Sequence, residues 1–332
     1  MGFDPLLHYE FAQALLQGRT SIVIVSQLGE HATVYYPPLF HMFSLAFFLA
    51  LPTVDPYLIM KIIVAVLDSL QLFPVYFIVK YISKSNIGAT MAAFVAMITP
   101  SDFNMIAWGG YANIAGLLLI AILAYFIIKE RTIAVGIVST TLFLTHHLSM
   151  LFAIGLFLPY LLIIWLKTRK LPMSLVALAA AMGVAYATFY WYSLLPLFEL
   201  YTSYAPRYSA FILPANWPQL FGYPLLVAAI CGIVLQVYRT SVKLVKSNLL
   251  LYMWFLMPLL LGYAYLFGVQ WDSVRWIYFL QQPACILCGM ATAHFKNRKL
   301  IVAIILLAFV LQWIGTMQTY NAAIWANAQQ VS

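Results

Sequence analysis

The chain has 332 residues, of which 64% are hydrophobic and only 8% charged. That balance excludes a soluble domain and calls for an integral membrane protein. The net charge of +8 does not mark a nucleic-acid partner, because the basic residues are spread over separate loops rather than gathered on one face. Lys80 and Lys84, then Lys129 and Arg131, then Lys167, Arg169 and Lys170 occupy alternate loops between apolar runs. The series continues at Arg239, Lys243 and Lys246 and at Lys296, Arg298 and Lys299, and together these are most of the 17 basic residues. The positive-inside rule assigns those loops to the cytoplasm. The intervening loops hold every acid except Asp68 and Glu130, and every histidine except His294.

In chain order, residues 1–56 read as one external segment with interfacial helices, and residues 57–332 as a transmembrane helical domain. Leu39–Leu51 would be about 20 Å long as a helix, short for a span and suited to an interfacial or re-entrant one. If it crossed, residues 1–36 would be cytoplasmic. Their acids Asp4, Glu10 and Glu30, against the single base Arg19, favour the outside. Ten apolar runs follow, at 57–79, 86–101, 112–128, 132–145, 148–166, 172–197, 221–238, 248–267, 275–295 and 300–319. Each is near the roughly 20 residues that cross about 30 Å of hydrocarbon. They are too long and too uniformly apolar for barrel strands, so the expected class is all-α and polytopic, in the cell membrane. The run Thr132–Trp165 is too long for one span and breaks only at Thr145-His146-His147. It reads as a hairpin whose first arm, about 21 Å long, would leave the histidine pair below the membrane surface in a polar cavity.

Three stretches then suggest a family. "GFDPLLHYEFAQALLQG" is followed by "YYPPLFHMFSLAFFLA" and a full span, with "WGGYANIAG" at 108–116 and "LTHHLS" at 144–149 further on. This order resembles the GT-C superfamily of membrane glycosyltransferases, in its uncharacterised archaeal-type members, over about the first 150 residues. The resemblance implies a first helix leading into an external loop with an essential acid near its start. Here the chain begins where that helix would end. It also implies a sugar donor carried on a polyprenyl phosphate, and a glycan, lipid or protein acceptor. The sequence has neither Asp-x-Asp nor Trp-Trp-Asp-Tyr-Gly, which weakens the metal-dependent oligosaccharyl-transfer version.

Such chemistry needs a base for the acceptor proton and a cation for the departing phosphate. Asp4 is the candidate base; Asp-Pro before an apolar helical run equally fits a helix cap. Arg275, at the external start of a span, offers a planar fork of donors to phosphate oxygens, or an interfacial anchor between Trp271 and Trp276. Arg207, in the Tyr-rich stretch 198–224, is a second cation, and Tyr111 a further substrate contact. His146 and His147 are candidates for phosphate contact or a polar cavity; adjacent helical residues point about 100° apart, which disfavours one shared metal. Asp4 and Asp102 together offer oxygen ligands to a divalent cation such as Mg or Mn, and a metal-independent enzyme requires none. Asp68 is the acid inside a span, and it is the residue on which the rival reading, a transporter or lipid flippase, depends. A non-catalytic scaffold would depend on none of these. Cys285 and Cys288 stand as C-x-x-C in mid-span and read as buried thiols.

Overall fold

The computed structural model describes residues 4–25, 31–99, 101, 105–107, 109–197, 222–240, 246–268 and 273–295, and isolated positions between 302 and 314. The chain opens with α1 (Asp4–Leu16), strands β1 (Ser21–Val25) and β2 (His31–Tyr35), and α2 (Leu39–Ala50). Then come α3 (Pro56–Leu70), α4 (Leu72–Ser83), α5 (Asn86–Met97), α6 (Tyr111–Ile128), α7 (Thr132–Thr145), α8 (His147–Thr168) and α9 (Met173–Ala185). After these lie α10 (Tyr223–Thr240), α11 (Lys246–Gly262), the short α12 (Ser273–Ile277) and α13 (Gln281–His294).

The expectation of an all-helical chain needs one correction. β1 and β2 pair antiparallel, Ser21 opposite Tyr35 and Val25 opposite His31. The β-branched run Ser-Ile-Val-Ile-Val suits an extended, half-covered ribbon better than a helix. The hairpin rests on α1, where Phe11, Ala14 and Ile22 form a small core of their own.

Among the described residues, four helical stretches are long and apolar enough to cross a membrane: Pro56–Ser83, Tyr111–Ile128, His147–Thr168 and Met173–Leu197. Leu39–Ala50, Asn86–Met97, Thr132–Thr145, Tyr223–Tyr238 and Lys246–Gly262 are shorter apolar helices. The run expected as one span at 57–79 lies within Pro56–Ser83, where α3 and α4 meet at a one-residue turn at Gln71. Pro74 explains the break, because it has no N–H to offer the Leu70 carbonyl one turn earlier. Asp55 opens α3 by accepting the Tyr57 N–H at 3.0 Å, with Pro56 in the first helical turn. The expected span at 172–197 is α9 continued through a π-helical turn, Tyr186–Tyr190. Most of the run 300–319 lies outside the described residues.

α6 is the central helix, buried over most of its length. Around it, close packing replaces the hydrophobic drive that helices lack in lipid. A Cβ on Gly88 of α5 would fall 2.6 Å from the Gly289 carbonyl oxygen of α13. One on Gly232 of α10 would collide with the backbone of Leu287 on α13. A buried polar chain crosses the bundle at the α3–α4 break. Gln71 Nε2 donates to Asp68 Oδ1 at 2.8 Å, and Gln282 Nε2 donates to Gln71 Oε1 and to the Leu117 carbonyl, the latter at 2.9 Å.

Candidate functional site

Four histidines from three parts of the chain gather where α1, α2 and the α7–α8 turn meet. His8 on α1 and His41 on α2 are both buried, and Nδ1 of the first lies 2.9 Å from Nε2 of the second. Nδ1 of His41 lies 3.3 Å from the Pro37 carbonyl. The consecutive prolines 37 and 38 make that geometry local: the first leaves its carbonyl one turn ahead of His41, and the second sits at the N-cap of α2.

The second pair sits at the α7–α8 turn. α7 ends at Thr145, His146 is extended (φ −154°, ψ 120°), and α8 starts at His147. His146 caps α8: its Nδ1 accepts the Ser149 N–H at 3.2 Å and lies 2.8 Å from Ser149 Oγ. Ser149 Oγ in turn lies 3.3 Å from Asn113 Oδ1 on α6, and Asn113 Nδ2 donates to Met105 Sδ at 3.2 Å. This chain exists because residue 116 is glycine. A Cβ there would lie 2.6 Å from Ser149 Cβ and closer still to Ser149 Oγ.

Tyr36, between β2 and the prolines, joins the two pairs. Its ring centroid is 5.5 Å from His8, 5.1 Å from His41, 5.9 Å from His146 and 5.1 Å from His147. Tyr111, the first residue of α6, stacks on His8 at 5.8 Å with 21° between the rings. Gly109, two residues ahead of it, adopts φ 98°, a conformation that favours glycine, and its carbonyl accepts the Tyr111 N–H at 2.7 Å.

Among the described residues, the fixed charge that acts on the site is that of Arg275, half-buried on α12 and near enough to act on His8, His146 and His147. Burial, opposed by the nearby Gly109 backbone and reinforced by that guanidinium, pulls His8 down to about 4. Burial and the neighbouring His8 hold His41 well below the usual imidazole range. The α1–α2 pair is therefore neutral near pH 7.

Of the residues singled out by sequence, Arg275, His146, His147 and Tyr111 come together here. Asp4 is the first residue of α1, one turn before His8; its side chain, together with Asp102 and Arg207, lies outside the described residues. Asp68 is bonded at the α3–α4 break, away from this cluster. Among the described residues, no three His, Cys, Asp or Glu side chains are arranged to hold a metal ion. His8, His41 and Tyr36 were not among the expected site residues. The signal for them was the run Tyr36-Pro37-Pro38 followed three residues later by His41, with a further histidine at the same end of the chain.

No family model matches the chain, and no curated protein matches it by sequence. Solved structures do match its fold. The Archaeoglobus fulgidus oligosaccharyltransferase, tethered to an acceptor peptide containing an NVT sequon, is 13% identical, with a TM-score of 0.58 over 95% of this chain and 51% of its own. ArnT from Cupriavidus metallidurans, bound to undecaprenyl phosphate, is 12% identical, with a TM-score of 0.60 over 97% of this chain and 60% of its own. Both are GT-C glycosyltransferases, and the chain has a GT-C-like, polytopic membrane fold. It spans about half to three-fifths of the length of these two proteins.

Proposed function

We propose that this chain is a glycosyltransferase that takes its sugar from a polyprenyl-phosphate carrier at the external face of the cell membrane and passes it to a glycan, lipid or protein acceptor. In this reading the chain crosses about ten times, with residues 1–56 as the external segment over the site. The observation that carries it is the convergence of Arg275 with His146, His147 and Tyr111, in a fold whose ArnT example holds undecaprenyl phosphate.

In the transfer step, the acceptor attacks the anomeric carbon of the sugar, and the bond from that carbon to the phosphate oxygen breaks. The electron pair leaves with the phosphate, whose growing charge Arg275 and neutral imidazole N–H groups are suited to hold. The acceptor proton goes to the carboxylate of Asp4, the proposed base. Arg207 is the alternate cation, and an Asp4–Asp102 cation site is proposed only for a metal-dependent version of the reaction. The test is a transfer assay in proteoliposomes loaded with a polyprenyl-phosphate sugar fraction. Release of the free polyprenyl phosphate is followed by mass spectrometry for wild type, Asp4→Asn and Arg275→Gln. Turnover lost in both variants supports the reading, and turnover that survives both sinks it.

The helix broken at Gln71, with Asp68 hydrogen-bonded beside it, favours a second reading: a flippase or transporter. It predicts that Asp68→Asn abolishes lipid translocation while Asp4→Asn leaves it intact.

A further inference from the structure

α6 carries the chain from Tyr111, in the histidine cluster, to Ile128, about 27 Å away at the helical rise. At that far end Lys129 closes α6, and the neighbouring α4 closes at Lys84, whose backbone is left-handed at φ 57°. Both ammonium groups stand over one ring: Lys84 Nζ lies 4.4 Å and Lys129 Nζ 4.0 Å from the centroid of Tyr81. Lys129 Nζ is also 5.8 Å from the ring of Tyr125, one turn earlier on α6. The Tyr81 ring attracts each cation, while the two cations repel each other. Glu130, next in the chain, is taken by Lys246 at 3.0 Å. Among the described residues neither Lys84 nor Lys129 is ion-paired.

The same ring heads an apolar stripe. Phe73, Phe77 and Tyr81 are spaced by four on α4 and so lie along one helix face. Phe73 is 58% and Phe77 46% exposed, and Phe77 meets Tyr125 of α6 with ring centroids 6.0 Å apart. Ser83 and Ile128 end two of the stretches that are long and apolar enough to cross a membrane. The lysines therefore stand at headgroup level, and the stripe runs from them into the hydrocarbon. The positive-inside rule puts this rim on the cytoplasmic side, where anionic lipid is found. The patch thus has the shape of an amphiphile, cationic at the rim and apolar below it. By contrast, among the described residues no ring gathers the basic groups of the exposed turn at Lys167, Arg169 and Lys170.

We propose that Tyr81, Lys84 and Lys129 form a binding site for one anionic phospholipid of the cytoplasmic leaflet. Its phosphate stands between the two ammonium groups, relieving their repulsion, and an acyl chain lies along Phe77 and Phe73. The lipid ties the ends of α4 and α6 together at the end of the bundle away from the histidine cluster. Recognition needs charge and tail at once. A soluble glycerophosphate lacks the tail, and phosphatidylcholine carries no net charge. The site is independent of the reading of Arg275.

The full chain in mild detergent is titrated with phosphatidylglycerol, phosphatidylcholine or glycerophosphoglycerol, and bound adducts are counted by native mass spectrometry. The expected result is one phosphatidylglycerol bound about thirtyfold more tightly than phosphatidylcholine, the scale of two lysines beside an anionic lipid. That preference weakens as salt is raised, because the lysines are near the surface. Lys84→Asn with Lys129→Gln abolishes it; asparagine is used because it tolerates left-handed backbone. Each single change is measured as well, so that one variant failing to fold leaves the other. Lys167→Gln with Lys170→Gln removes the same charge from another turn and keeps the preference. Equal loss in the two double variants overturns the proposal, by assigning the effect to the rim as a whole. A wild type without the preference also overturns it. Tight binding of glycerophosphoglycerol overturns it as well, by marking a site for free phosphate esters, and displacement by farnesyl phosphate at lower concentration overturns the choice of occupant.

Discussion

Gly116→Ala tests how tightly the second histidine pair is tied to the central helix. The added Cβ would lie 2.6 Å from Ser149 Cβ and nearer to its hydroxyl, so α6 and α8 must separate or Ser149 must turn away. Overpacking of this kind costs about 1–3 kcal/mol. Displacing Ser149 also weakens its contacts to His146 and Asn113, each of which contributes about 0.5–1.5 kcal/mol. The sum is roughly 2–6 kcal/mol, or about 4–12 °C of Tm at about 2 °C per kcal/mol for a long chain. The assay is thermal unfolding in detergent, followed by size-exclusion fluorescence, for Gly116→Ala, Ser149→Gly and the double variant. Removing the Ser149 side chain removes the collision, so the two changes should couple by more than about 1 kcal/mol. The double variant still lacks the hydroxyl bonded to His146 and should recover stability without recovering transfer. An unchanged Tm in Gly116→Ala, or strictly additive losses, would refute this account of the α6–α8 contact.

Arg275→Gln should weaken binding of a prenyl phosphate by about tenfold to a hundredfold, the scale of a charge-assisted hydrogen bond, read by calorimetry in nanodiscs. With its pKa at about 4, below the unfolded value near 6.5, His8 gives stability that is complete above about pH 6.5. That stability is lost as pH falls towards 4, at up to about 1.4 kcal/mol per unit. Tm measured across that window should decline, and His8→Gln should flatten the decline. Gly232→Ala drives a methyl into the Leu287 backbone and should separate α10 from α13 at a cost of about 1–3 kcal/mol, visible as a lower Tm with prenyl-phosphate affinity retained.

Much of the architecture was legible in the sequence because lipid leaves the backbone few options. The apolar runs and the alternate basic loops announce a polytopic helical chain, and the polar triplet Thr145-His146-His147 announces a break in an otherwise continuous run. The broken helix at Gln71 was less visible, because Pro74 lies within a run that remains apolar on both sides. The hairpin was hidden for a different reason. Five β-branched and small residues facing a short partner strand carry little periodic signal inside a polar segment. At the site, Arg275 and the His146–His147 pair stood out as polar groups at the ends of apolar runs. His8, His41 and Tyr36 did not, because their meaning depends on α1 and α2 folding back over the α7–α8 turn. That is a tertiary contact between positions far apart in the chain, and no local pattern encodes it.

The most direct test of the account is photo-crosslinking of a polyprenyl phosphate carrying a diazirine beside its phosphate, followed by peptide mapping. The account predicts labels on the segments around Tyr36, Tyr111, His146 and Arg275, and competition by unlabelled carrier. Labels confined to exposed apolar residues away from the cluster, such as Ile133 and Leu260, or to the turns at Lys84 and Lys167, would contradict it.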